Sequence, residues 1–528
     1  MAWSKLTTLL LFHVVVICLG SLQFGYHLSE LNAPEAYFSC QIRDREGYFG
    51  PNALPDCIPM GPSRVGLVNS IFSVGGFISA TIAGRGADRF GRRGLMMINS
   101  IAYIVGPVIV AVASNFYLFM LGRFVSGLGA GSMLIVIPIY LNEISPVEYS
   151  GMIGAMCQEF VNLGILFAQV MGVFLSSFSG WRVIVSIGGI IGIVNLVLLP
   201  ACVESPKWLA LNNRVHDSKI SLIKLRGLNR GTVTEEQLAE INNLIQQWRL
   251  KPEPSKQISG GAVQDSTDLD SDHDTIASIT PSLAPRGLDS QLALFLEEEE
   301  EEEGSTLQGS ELADVSSDFT KVSYHEFLTS RTYRRPLIAV VGVLTAQQLC
   351  GINTMIFYGV TILSSLFPTL AVLVNVVISL INCLVNLAVA PLVDRVGRRP
   401  LLLLSESGMA ICSFLLAIGI TRNVQILSGL AATVFVAMFS IGLGPIPFLI
   451  IPELTDASSV AVAQSVGFTC NWVATFLVGY LFPILNQSMG GYVFFILSGI
   501  ATFVSFFYFF FLFYILPSSP MYIVLVLH

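Results

Sequence analysis

Apolar stretches of about 20 residues recur along the whole of this 528-residue chain, and each is long enough to cross a bilayer as a helix. Inside hydrocarbon every backbone N–H and C=O needs an internal partner, so a stretch of this length crosses as an α-helix. Twelve candidate spans can be marked. Six lie in the first half, at roughly 6–26, 65–83, 95–113, 117–140, 152–176 and 181–202, and six in the second, at roughly 337–366, 369–391, 400–420, 427–450, 462–485 and 491–516. Charged residues make up 12% of the chain, against about 25% in a soluble domain. The fold class that follows is all-α integral membrane. The N-terminus, "MAWSKLTTLLLFHVVVICLGSLQFGY", has no small-residue cleavage site after a short apolar core; it reads as a retained first span, not a signal peptide.

The chain divides accordingly. Residues 1–202 carry the first six spans, 203–335 a hydrophilic linker, 336–516 the second six, and 517–528 a short tail. Within the linker, 203–250 alternates charge with Leu and Ile at helical spacing, which reads as short amphipathic helices on the membrane surface or capping the spans. Residues 251–320 are rich in Ser, Asp, Pro, Gly and Glu, too polar to form a core, and are expected to be disordered. The net charge of −8 comes largely from this insert, which contains the glutamate run Glu297 to Glu303. No basic patch interleaved with aromatics suggests nucleic acid. No metal-spaced Cys/His set, phosphate-binding loop or nucleophile–base pair is evident, so neither a cofactor nor an enzymatic activity is expected.

Arg85, Arg89, Arg92 and Arg93 cluster between the second and third spans, and Arg395, Arg398 and Arg399 between the eighth and ninth. The positive-inside rule puts both clusters, both termini and the central insert in the cytoplasm. The loop holding Cys40 and Cys57 then faces outside, where the two either pair or stay free; Asn486, in an N-Q-S sequon after the eleventh span, becomes a candidate glycan acceptor. The plasma membrane is the expected residence, a vacuolar or other internal membrane the alternative. The two basic clusters also share D-R-x-G-R-R, each between the second and third spans of its half. A duplicated six-plus-six architecture places a substrate site near the midplane, between the halves.

A further anomaly is "QQLCGINTMIFYG", Gln347 to Gly359, inside the apolar run 337–367. Polar groups in hydrocarbon are costly unless paired, so such amides line an aqueous path or pair between helices. Together with "LQFGY" (22–26), "GRGADRFGRR" (84–93), "LGRFVSGLGAG" (121–131), "PIYLNEISP" (138–146), "ESPKWL" (204–209), "DRVGRR" (394–399) and "GPIPFLIIPEL" (444–454), this segment makes the chain resemble the sugar porter family of the major facilitator superfamily over nearly its whole length. The resemblance implies a major facilitator fold of twelve transmembrane helices in two six-helix bundles, alternating access, and a monosaccharide or polyol substrate. It is compatible with function as a monomer, with the lipid bilayer and the sugar as partners.

A sugar presents hydroxyls that both donate and accept, and neutral amides do the same. By the resemblance, Gln347, Gln348 and Asn353 are sugar ligands, with Gly351 letting the helix unwind between them. Gln169, in an amide stripe with Gln158 and Asn162, is matched to another ligand, as are Asn382, in a stripe with Asn375 and Asn386, and Asn471. Phe448 stands where many glucose carriers have tryptophan. Pro445 and Pro447 break the tenth span at a candidate gate. Arg92, Arg93, Arg398 and Arg399, with Glu143, Glu204 and Glu453, are the charges of interbundle latches, weakened here because Ser150 and Val460 occupy places where the family usually has arginine, and because "LPSSP" (516–520) replaces "PETKG". Glu159 is read as lying at the cytoplasmic water interface. His27 replaces the aspartate of proton-coupled relatives and, with Arg123, is a candidate proton-coupling group, because histidine titrates near neutrality; hydrogen bonding alone is the other reading. Facilitated diffusion is preferred, with proton symport and a non-transporting nutrient sensor as alternatives. The sensor is disfavoured by the dozen or so residues after the last span.

Overall fold

Every apolar stretch of the sequence is a helix in the computed structural model, which describes residues 6–42, 54–228, 233–249, 322–455 and 459–515. The acidic insert 251–320 and the tail 517–528 lie outside the described residues. In the first half the helices are α1 (Thr8–Ser29), α2 (Pro62–Ala111), α3 (Phe116–Ile144), α4 (Ser150–Leu175) and α5 (Gly180–Leu198). In the second they are α6 (Arg334–Leu349), α7 (Ile352–Ser364), α8 (Ala371–Val396), α9 (Arg398–Thr421), α10 (Gln425–Ile441), α11 (Ile446–Leu454), α12 (Val460–Met489) and α13 (Val493–Ile515). Local chemistry sets several starts: the Thr7 hydroxyl accepts from the Leu10 N–H and Asn115 Oδ1 from the Leu118 N–H, as N-caps do.

Ten helical stretches are long and apolar enough to cross a membrane, and two of them, Pro62–Ala111 and Val460–Phe509, are 50 residues long. A straight helix of that length is about 75 Å, more than twice the hydrocarbon thickness, so each holds two crossings and the total among the described residues is twelve. The first turns back at Gly91, whose φ of 77° interrupts α2 inside the first D-R-x-G-R-R. Gly397, φ 90°, separates α8 from α9 at the equivalent place in the second. The seventh and tenth crossings each contain a further break, at Cys350–Gly351 between α6 and α7 and at 442–445 between α10 and α11.

The helices of the two halves form one compact unit, within which α2 packs on α12, α4 on α8, and α1 on α7. Small residues allow close approach, as is usual between membrane helices: a Cβ on Gly25 of α1 would lie 2.0 Å from the Val161 carbonyl of α4. Large apolar side chains such as Ile82, Ile411 and Phe503 point outward, the inverse of a soluble protein and what a lipid surround favours. The described residues of 209–249 belong to a second unit, in which the helices Val215–Leu225 and Glu235–Arg249 bury Leu222, Ile223, Ile241 and Ile245 with Ala210.

Candidate substrate site

A cavity lined by polar amides and aromatic rings lies between the halves. The first half contributes Gln158 and Asn162 from α4; the second contributes Gln347 and Gln348 from α6, Asn353 from α7, Asn382 from α8 and Asn471 from α12. Phe24, Phe439, Phe448, Phe468 and Trp472 supply ring faces. Gly351 makes the second-half cluster feasible. Its φ of 93° ends α6 and starts α7 anew, so Gln348 and Asn353, which an unbroken helix would point in different directions, meet through Asn353 Nδ2 donating to Gln348 Oε1 at 2.6 Å. Gln348 Nε2 donates to Asn471 Oδ1 at 3.3 Å, and Asn471 Nδ2 to Gln347 Oε1 at 2.9 Å. The Gln347 amide is held by the Leu443 carbonyl, 2.7 Å away at the α10–α11 break. Across the cavity, Gln158 Nε2 donates to Asn162 Oδ1 at 3.0 Å, and Asn382 Nδ2 reaches the same oxygen at 3.2 Å, joining the halves. Two buried donors on the lining have no partner in the protein, Asn162 Nδ2 and Trp472 Nε1.

Six of the seven expected substrate-binding residues thus line one cavity. Gln169 does not. It sits seven residues beyond Asn162, about 10 Å along the axis, and its amide donates to the Ser29 hydroxyl at the end of α1. The α4 amides that line the cavity are its stripe partners Gln158 and Asn162. Trp472 was adjacent to an expected ligand but not itself expected; its neighbour Asn471 drew attention by being polar, whereas a tryptophan in an apolar run carries no such mark.

Hydrogen bonds between the halves flank the cavity. Toward the face carrying Cys40 and Cys57, Asn32 Nδ2 donates to the Ile356 carbonyl at 2.7 Å and its Oδ1 accepts from the Val360 N–H at 2.9 Å. One turn on, the Thr361 hydroxyl donates to Glu35 at 2.9 Å. Burial pushes the Glu35 carboxyl up from its ordinary 4.5 to about 7, against the lowering effect of hydrogen bonds from Thr361 and Gln41. Toward the basic face, Asn386 Nδ2 donates to Glu159 Oε2 at 2.8 Å. Glu159 is therefore buried against α8, not at a water interface, because Asn386 gives it a donor there.

The His27 and Arg123 pair is mediated by a third residue. Glu30, 1% exposed, accepts from Arg123 Nη1 at 2.7 Å through one oxygen and lies 3.0 Å from His27 Nδ1 through the other. Arg123 also donates to the His27 carbonyl and stacks over the Phe72 ring. The signal was in the sequence: an acid three residues after His27 shares its helical face.

Among the basic-face charges, Arg92 pairs with Glu143 and Arg398 with Glu453, each within its own half. Arg92 forks onto Glu143 with two contacts of 2.8 Å, and Glu204 accepts from the backbone N–H groups of Arg92 and Arg93. The Arg93 side chain donates to the Cys202 carbonyl. In the second half Arg398 meets Glu453 at 2.9 Å, and Arg399 is half-buried in the first turn of α9. These contacts pin the glycine turns of the two D-R-x-G-R-R segments to the ends of α3 and α11. Ser150 bonds Asn142 in place of a charge. Cys40 and Cys57 form a disulfide. Asn486 lies in the last turn of α12 and not in the loop beyond it, where a glycan acceptor was expected.

The "Sugar (and other) transporter" family model matches residues 13–258 and 291–518. A Saccharomyces cerevisiae protein named "Probable metabolite transport protein" is 35% identical over 93% of this chain and 90% of its own length. The same yeast's "Vacuolar protein sorting-associated protein 73" is 31% identical over 95% of this chain and 93% of its own. Among solved structures, a partially occluded inward-open conformation of the Escherichia coli xylose transporter XylE superposes with a TM-score of 0.67 at 18% identity, covering 95% of this chain and 99% of that one. A twelve-crossing fold, a neutral amide cavity between its halves and a family match over most of the chain converge: the chain belongs to the sugar porter family of the major facilitator superfamily.

Proposed function

We propose that the protein carries a hexose or a related polyol across its membrane by alternating access, as facilitated diffusion. The observation that carries this reading is the cavity lining: seven neutral amides from both halves, with aromatic rings beside them. Amides exchange their mutual hydrogen bonds for those of a sugar's hydroxyls without stranding a charge, and ring faces suit the C–H faces of a pyranose. The basic face is assigned to the cytoplasm and the disulfide face to the outside or lumen. On this assignment Asn32 and Glu35 close the outer side and Glu159 with Asn386 the inner. Facilitated diffusion is supported by Glu30, whose carboxylate already has a buried guanidinium partner in Arg123.

Uptake of labelled glucose, fructose, galactose, xylose and inositol in cells stripped of their own sugar carriers tests this, with and without a protonophore. The expected result is saturable, protonophore-insensitive uptake of at least one solute, lost in Gln348→Ala/Asn353→Ala. Protonophore sensitivity would transfer the reading to symport. No uptake of any solute from protein shown to be in the membrane would overturn it.

A further inference from the structure

Glu406, in the middle of α9, has a carboxylate that nothing in the substrate site uses. It is 0% exposed, and neither oxygen has a hydrogen-bond partner in the protein. Among the described residues no cation bonds to either oxygen, and the arginines of α6, Arg334 and Arg335, open that helix two turns or more before Val343. Tyr508 of α13, its hydroxyl also unpartnered, and the buried thiol of Cys350, at the C-cap of α6, are the titratable groups close enough to feel its charge. The apolar packing here joins α6, α9 and α13 through Val343, Ala346, Leu403 and Val504. Packed against α9 from its other sides, α10 has no titratable residue, while α8 ends in Asp394 and Arg395 and α11 carries Glu453. The arginines of α9 itself, Arg398 and Arg399, lie two turns nearer the basic face, and Arg398 is held by Glu453. Tyr492, in the turn before α13, lies at the opposite end of α9.

An ionised carboxylate enclosed this way has no compensation for its lost hydration, and neutralisation is the cheaper state. We propose that Glu406 is a proton-binding site: it holds a proton at neutral pH in the conformation described here, behind the helix break that presents Gln347, Gln348 and Asn353. Releasing that proton to water leaves a buried charge beside Cys350 and Tyr508. Deprotonation therefore disfavours this conformation, and the proton acts as a resident ligand of the second half, not as cargo that moves with the solute.

The test is infrared difference spectroscopy of the full-length protein in lipid. It uses a Glu35→Gln/Glu159→Gln background, so that the other buried acids without a cation are silent. The carbonyl stretch of a protonated carboxyl group is expected at neutral pH, to disappear on alkaline titration, and to be missing from Glu406→Gln and Glu406→Leu. Both variants should retain wild-type melting temperature at neutral pH, because each replaces a neutral group. A spectrum without that band at neutral pH, or a band unchanged in both variants, would overturn the proposal. If neither variant folds, the band and its alkaline loss in the background protein decide alone. A second readout rests on the transport reading. With the same pH on both sides, uptake should fall at alkaline pH with Glu406 and stay level with Glu406→Leu. If no solute is carried, that readout is silent and the infrared result stands by itself.

Discussion

At the scale of single residues, the cavity makes separable predictions for neighbours in one amide stripe. Gln158→Ala or Asn162→Ala removes a group facing the cavity. With a hydrogen bond worth about 1 kcal/mol, each should raise KM for uptake roughly fivefold. Gln169→Ala, whose amide is engaged with Ser29 away from the cavity, should leave KM within about twofold. Equal effects at all three positions would contradict the assignment. Glu30→Gln leaves the Arg123 charge buried with one fewer acceptor, and breaking a buried pair costs about 3–5 kcal/mol. A marked loss of thermal stability in detergent is expected, lessened when Arg123 is replaced as well. Amides at intervals of four and seven in apolar runs were legible in the sequence as a shared helical face. Which turn of that face meets the solute was not, because depth depends on how α4 and α8 are staggered, and that stagger appears only when Asn162 and Asn382 are seen to touch.

Helix breaks and interhelical locks give predictions at the scale of elements. Gly351 adopts a left-handed conformation, and a Cβ there would lie 2.9 Å from Leu497 Cδ1. Gly351→Ala should cost at least 1–2 kcal/mol, on the order of the left-handed penalty for an L-residue, and lower uptake because the α6 and α7 amides lose their mutual register. The Asn32–Glu35 lock adds a pH dependence. When the lock opens and Glu35 meets water, its carboxyl returns from about 7 toward 4.5. Closure therefore takes up a proton: it is most favoured below 4.5, weakens progressively as pH rises, and levels off above about 7. With a cysteine at Ile356→Cys on the cavity wall, the labelling rate by an impermeant thiol reagent from the disulfide face, divided by the rate in a Glu35→Gln background, should rise between about pH 5 and about pH 7.5. A flat ratio would exclude Glu35 as the pH-sensitive element. The sequence showed the prolines of the α10–α11 break and the glycine of the α6–α7 break, since both act through local backbone chemistry. It did not show Asn32 or Glu35 as a lock, because their partners lie more than 320 residues away.

For the whole molecule, duplication was the most legible property: apolar length gave the crossings, and two D-R-x-G-R-R segments gave the repeat. The structure extends the repeat to side-chain chemistry. An arginine after the glycine turn meets a glutamate at the end of a later helix in each half, Arg92 with Glu143 and Arg398 with Glu453. These contacts tie the glycine turn of each half to a later helix of the same half, while the cavity between the halves is lined by neutral side chains. The resemblance pointed to these charges as latches but not to which glutamate each arginine meets, because pairing distances are not written in sequence. The central claim, a carrier that exposes one neutral sugar site alternately to each side, is tested most directly by counterflow with purified protein in liposomes. Vesicles loaded with an unlabelled sugar from the panel should transiently accumulate the labelled sugar without any ion gradient, and Asn162→Ala/Asn353→Ala should abolish the overshoot. Absence of an overshoot for every sugar in the panel, from protein that keeps its melting temperature in the same lipid, would contradict the account.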